Sequence, residues 1–106
     1  MITATFLYNE GRQITGFTVV GHAGYAQAGS DIVCAAVSAL TINTINAIEK
    51  LTDSRVEAAE DEGRLWCRCP DPSGNGIQLL MSACLLGLSS IREQYGSQYI
   101  TIHSRM

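Results

Sequence analysis

Apolar and polar residues alternate from the first positions of the chain. Ile2, Ala4, Phe6 and Tyr8 fall on one side of an extended backbone, and Thr3, Thr5 and Leu7 on the other. That period of two predicts a strand over residues 2–8. Asn9-Glu10-Gly11-Arg12 reads as a turn in which Gly11 takes the positive φ. Ile14 to Val20 is a second β-rich run, so the chain opens with a hairpin. The pattern then lapses. Residues 23–30 hold small and polar residues and no large aliphatic one, which predicts a loop with little to bury. From Asp31 to Leu51 the period changes: Val33, Val37, Leu40, Ala47, Ile48 and Leu51 recur at steps of three and four, with Thr44 interrupting the stripe. This is a helix with Ser30 or Asp31 as its N-cap.

Arg55–Ala59 and Leu65–Cys69 flank Asp61-Glu62-Gly63 and read as a second hairpin. Pro70 to Gly76 cannot continue a strand. A second helix follows, from Ile77 to Gln94, with Gly96 just past its end. Its apolar residues surround most of its circumference, which predicts burial on nearly all sides, at the centre of the fold or in a subunit interface. Tyr99 to His103 closes the chain as a strand. The order ββαββαβ predicts an α+β fold, one domain over residues 1–106, with a mixed sheet packed against two helices.

Composition narrows the function classes. A chain of 106 residues supports one core. With a net charge of -3 and seven scattered basic residues, it lacks the basic stripe of a nucleic-acid binder, and none is expected as a partner. The N-terminus has no signal-peptide pattern, and no apolar run is expected to span a membrane. The expectation is a cytoplasmic protein whose four cysteines are thiols. None is spaced as Cys-x-x-Cys.

Chemistry concentrates where the second strand gives way to the first helix. His22 ends the strand and Cys34 opens the helix. A thiol attacks a carbonyl only as thiolate, and an ordinary one, with pKa about 8.5, is a few per cent ionised near neutrality. A helix N-terminus favours an anion by about 0.3–1 kcal/mol, reaching about 2 when partly buried. An imidazolium about 4 Å away at an effective dielectric near 20 contributes on the order of 4 kcal/mol. The histidine is the larger effect. The pair therefore reads as a nucleophile, Cys34, with a general acid/base, His22.

Asp31 complicates the arrangement, because a bare carboxylate beside the sulfur would oppose ionisation. It makes sense if it caps backbone amides, the favoured reading, or orients His22. If it caps the Cys34 amide, the donors of an oxyanion hole lie elsewhere. Ser38, one turn after Cys34, faces the same cleft or bonds its own helix.

Other groups carry alternatives. Cys67 and Cys69 share a strand face and, with His22 or His103, would suit a metal, although core thiols explain them too. Cys84 lies in the apolar helix and should be inert. Glu57, Glu60, Asp61 and Glu62 form an acidic patch, a solvated turn or a lure for a basic substrate.

Gly21-His22-Ala23-Gly24-Tyr25-Ala26, then Gly29, then Asp31-Ile32-Val33-Cys34-Ala35-Ala36-Val37-Ser38-Ala39-Leu40 resembles the ribosomal-processing cysteine protease family Prp (YsxB-like). The similarity extends over the whole length and the element order. It implies a cytoplasmic endopeptidase without cofactor or metal. The expected substrate is a large-subunit ribosomal protein precursor, whose N-terminal extension is removed. It implies that His22 and Cys34 are the catalytic pair, supported by Asp31 and Ser38. The loop, with Gly21, Gly24 and Gly29, would be a mobile flap, and the protein a homodimer. The competing reading is a non-catalytic module that binds a ribosomal protein or assembly factor through the apolar helix and acidic turn.

Overall fold

Five strands and two helices form in the order ββαββαβ: β1 (Ile2–Tyr8), β2 (Ile14–Val20), α1 (Ile32–Leu51), β3 (Glu57–Asp61), β4 (Arg64–Arg68), α2 (Asn75–Tyr95) and β5 (Ile100–Arg105). The structure, a computed structural model, describes residues 1–27 and 29–106; Ala28, inside the predicted loop, lies outside the described residues. The sheet runs β3-β4-β2-β1-β5. Three neighbouring pairs are antiparallel, and β5 lies parallel to β1, so the sheet is mixed.

One sheet face is buried. Ile2, Ala4 and Phe6 of β1, Phe17 and Val19 of β2, Leu65 and Cys67 of β4, and Ile100 of β5 join Val33, Val37 and Ile48 of α1 and Ile77, Met81, Cys84 and Leu88 of α2 in one core. A register shift sets Tyr8 opposite Ile14 but Leu7 opposite Gly16, leaving Thr15 as an extra residue in β2. The bulge changes the phase of the strand. Ile14 and Phe17 therefore both reach the core although they are three apart.

The first turn differs from expectation. The positive φ falls on Arg12, at 63°, not on Gly11. Asn9 holds this turn: its Oδ1 accepts the Gln13 N–H at 2.9 Å, and its carbonyl accepts that of Arg12 at 3.0 Å. The second hairpin is also displaced from the expected bounds, because Asp61 pairs with Arg64 and leaves a two-residue turn, Glu62-Gly63, with Gly63 at φ 66°.

In α1 the stripe is not interrupted at Thr44. Thr41 and Thr44 are both buried, each hydroxyl donating at 2.8 Å to the carbonyl one turn back, on Val37 and Leu40. Satisfied in this way, a threonine packs as a small branched apolar residue. Contrary to the expectation of no membrane-length apolar run, α1 is long and apolar enough by composition to cross a membrane. Here its inner stripe is spent on the core. It packs closely on α2, where Gly87 leaves the room that Leu40 fills.

The expectation that α2 is buried on nearly all sides fails for the single chain. Only Ile77, Met81, Cys84 and Leu88 are buried, at steps of four, three and four. Leu79 and Leu86 are 71% and 69% exposed on another face. A two-layer fold covers one side of a helix.

Candidate active site

His22 and Cys34 arrive from two elements that end at the same place. β2 stops at Val20, and Gly21 follows with φ 98°. A side chain on Gly21 would place its Cβ 2.5 Å from the Met1 carbonyl oxygen. Only glycine makes that turn against β1. The Gly21 N–H donates to the Gly63 carbonyl at 2.8 Å, which fastens the start of the loop to the β3–β4 turn. His22 is exposed beside it. A Cβ built on Gly63 would lie 3.3 Å from the His22 Nε2. The hairpin turn is thus the wall against which the imidazole rests.

Cys34 is the third residue of α1, in the turn whose backbone N–H groups have no partner within the helix. Asp31 is the N-cap, with extended backbone and 8% exposure. Its Oδ1 accepts the N–H groups of Val33 and Cys34, each at 3.0 Å. Its Oδ2 accepts those of Tyr25 at 3.0 Å and Ala26 at 3.3 Å. The bond from Cys34, ahead of those from Ala26, Tyr25 and Val33, holds the Asp31 carboxyl below its ordinary 3.8, against the opposing pull of burial. The capping reading is the one observed. Its charge is shared among four amides, and the Cys34 N–H is already committed.

The sulfur has a donor of its own: the Ala23 N–H points to Cys34 Sγ at 3.2 Å. The residue after His22 therefore touches the thiol directly. His22, Cys34 and Ser38 line two cavities in common. One, about 450 Å³, extends toward Val37, Thr41 and the hairpin residues Glu60 to Leu65. The other, about 590 Å³, lies under the loop, against Gly24, Ala26, Gly29, Asp31 and Ala35. A chain laid across the sulfur would have a cavity on either side.

The loop is anchored more firmly than its composition suggests. Besides the two bonds to Asp31, the Tyr25 ring packs edge-on against Tyr99 at 5.1 Å and Tyr95 at 5.7 Å between centroids. These partners lie some seventy positions away in sequence, at the end of α2 and before β5, and local pattern gives no sign of them. Gly63 and Ala23 were likewise missed. Gly63 carried only a turn signal, and the part Ala23 plays is a backbone N–H that any residue but proline supplies.

The remaining cysteines are elsewhere. Cys67 and Cys69 face the core, and burial pushes their thiols up to about 12 and about 11. Cys84 is raised for the same reason. The acidic patch divides: Glu57 pairs with Arg68 at 2.6 Å, while Glu60, Asp61 and Glu62 line the hairpin-side cavity together with Arg64.

Residues 1–101 match the family described as Cysteine protease Prp. The chain belongs to the Prp cysteine protease family. It is 34% identical over 97 residues to the ribosomal processing cysteine protease Prp of Staphylococcus aureus, covering 90% of this chain and 92% of the relative. The Bacillus subtilis protein of the same name is 32% identical over 101 residues, covering 90% of each. Its fold is similar to a crystal structure of the S. aureus Prp protease with a covalently linked product peptide, at a TM-score of 0.93 and 32% identity, covering 98% of this chain and 99% of that one. The chain is a cysteine protease, as its Prp relatives are.

Proposed function

We propose that the protein is an endopeptidase that removes the N-terminal extension of a large-subunit ribosomal protein precursor, with Cys34 as nucleophile and His22 as general acid/base. The observation that carries this reading is the placement of His22 and Cys34 on the shared lining of two cavities at the start of α1. His22 takes the thiol proton, and the thiolate attacks the scissile carbonyl carbon. The tetrahedral adduct collapses as the imidazolium returns that proton to the leaving amine, and a thioester to Cys34 remains. Water, deprotonated by His22, then hydrolyses the thioester and restores the thiol.

Asp31 supports the site by fixing both the loop and the helix start with one carboxylate. Because the Cys34 amide is committed to that cap, the oxyanion needs another donor. The Ala23 N–H already meets the sulfur: once that sulfur bonds to the carbonyl carbon it is a poor acceptor, so the attack itself releases this donor toward the adjacent oxyanion. Ser38 lines the path of the peptide. The loop acts as a flap whose opening breaks the contacts of Tyr25 with Tyr95 and Tyr99, with Gly24 and Gly29 on its cavity-facing side.

We also place the enzyme in the cytoplasm as a homodimer. The four free cysteines suit a reducing compartment, and exposed Leu79 and Leu86 on α2 suit a second copy. Incubation with the ribosomal protein precursor, followed by intact-mass measurement, tests the activity. Cleavage at one junction is expected from the wild type and none from Cys34→Ala or His22→Ala, both folded by circular dichroism. Undiminished cleavage by either variant overturns the assignment.

A further inference from the structure

The face of the sheet turned away from the helices carries a pattern that the cleft does not use. Both helices pack on the core side, so alternate residues of the five strands point the other way. Cross-strand register sorts these residues into rows. The middle row, from β3 across to β5, is Ala59, Trp66, Thr18, Thr5 and His103. The next row, nearer the β1–β2 turn, is Glu57, Arg68, Gly16, Leu7 and Arg105. The row at the catalytic end begins with Asp61 and Arg64, which line the cavity of Cys34 and belong to the site already described.

Trp66 is the one tryptophan of the chain, and it is 39% exposed. Its row neighbours, Ala59 and Thr18, are too small to cover an indole. The adjoining row is positively charged. Arg68 donates two N–H groups to one Glu57 oxygen, at 2.6 and 3.1 Å, and Arg55 approaches the other oxygen at 3.7 Å. One carboxylate thus stands against two guanidiniums, and the side chains of Arg55 and Arg68 remain 78% and 65% exposed. Arg105 is exposed at the far end of the same row, and His103 at the far end of the middle one. These cations are scattered along a chain of net charge -3, and the sheet gathers them on one surface. Each row crosses four strand spacings, about 19 Å at about 4.8 Å apiece.

We propose that this outer face binds single-stranded RNA, with a base stacked on Trp66 and phosphates held along Arg55, Arg68 and Arg105. An exposed indole beside surplus guanidiniums matches the two parts of a single strand, flat bases and an anionic backbone. A duplex keeps its bases stacked on each other and offers the indole none. Thr18 and Thr5, between Trp66 and His103, supply hydroxyls for the 2′-OH that DNA lacks. A second copy of the chain fits worse, because a two-fold pairing of this face sets its arginines against one another. RNA held here lies on the reverse of the sheet from Cys34 and from the α2 face of the proposed dimer. The cleft stays open while the enzyme is docked, and the inference does not depend on which peptide is cut.

Intrinsic fluorescence reads this face alone, because no second tryptophan contributes. The probe is an unstructured RNA of about ten nucleotides, within the about 4–16 that one sheet-based single-strand binder covers. Titration should quench Trp66 and give a micromolar Kd at about 50 mM salt, matched by fluorescence polarisation of the labelled RNA. Two to three neutralised phosphates predict binding about seven- to twentyfold weaker at about 200 mM salt. Trp66→Ala and the double variant Arg68→Ser with Arg105→Ser should each raise the polarisation Kd at least fivefold, with unchanged circular dichroism. Trp66→Phe, which keeps a ring, should recover most of the affinity. All three should cleave the ribosomal protein precursor within twofold of the wild type, which separates this face from the cleft. Absence of quenching, or undiminished RNA binding by Trp66→Ala and the double variant, overturns the proposal. Equal or tighter binding of DNA of the same sequence, or of an RNA duplex, overturns it as well. Should these substitutions instead lower the sedimenting mass of the protein without RNA, the face is an interface between copies and the RNA assignment falls.

Discussion

At the scale of single residues, the site depends on how few groups carry how many contacts. Asp31 satisfies four backbone N–H groups from two segments. Asn at this position offers one acceptor oxygen in place of two, so Asp31→Asn should free either the loop or the helix start. At least a tenfold loss of kcat/KM is expected, with a lower Tm. The same contacts set an acid limb. The folded-state pKa of Asp31 lies below the unfolded 3.8, so the stability it confers is present above that value and is lost as pH falls through the depressed one. Thermal melts between pH 2 and 6 should show this limb in the wild type and a flatter one in Asp31→Asn. Cysteine exposure gives a second test. Cys34 is half-buried at a cavity, whereas Cys67, Cys69 and Cys84 are buried and harder to ionise. Brief iodoacetamide treatment at neutral pH should add one label per native chain, on Cys34, and that rate should fall in His22→Ala. Gly63→Ala adds a methyl group 3.3 Å from the imidazole at a φ of 66°. It should cost about 1 kcal/mol of stability and reduce kcat more than KM.

At the scale of elements, α2 shows what periodicity reports and what it omits. Its buried residues follow the helical period, so its existence and bounds were legible within two residues at each end. Which apolar residues face the core was not, because leucines surround the helix and only packing selects among them. Leu79 and Leu86, two turns apart, remain outside. In the proposed dimer they meet a second copy. Leu79→Glu with Leu86→Glu should therefore yield a folded monomer by sedimentation at micromolar concentration, and an unchanged elution would remove the α2 face from the interface. The loop gives the converse lesson. Its small residues foretold a segment with nothing to bury, yet Tyr25 alone fastens it to Tyr95 and Tyr99. Tyr25 stays 42% exposed, so it pins the loop by edge-on ring contact and not by deep burial.

At the scale of the molecule, the sheet and the two helices hold the ends of β2, the β3–β4 turn and α1 together at one corner. Phe6 and Phe17, both fully buried with ring centroids 5.4 Å apart, sit in the middle of that sheet. Phe17→Ala should cost about 3–5 kcal/mol in urea unfolding, a large share of the about 5–15 kcal/mol a domain commands. Below the unfolding transition the variant should still cleave, since the residue supports the frame and not the chemistry.

The sequence by itself determined the element order, the strand faces, the capped helix start, and the presence of a histidine and a cysteine at adjoining element ends. These follow from local rules: the periods of strand and helix, and the short reach of a capping side chain. Only the tertiary structure decided the strand order β3-β4-β2-β1-β5, the docking of the hairpin turn against His22, the anchoring of the loop by Tyr25, and the two cavities lined in common by His22, Cys34 and Ser38. Those contacts join residues far apart along the chain. Many partners of equal hydrophobicity compete for each such place, and only simultaneous packing of the whole core chooses among them.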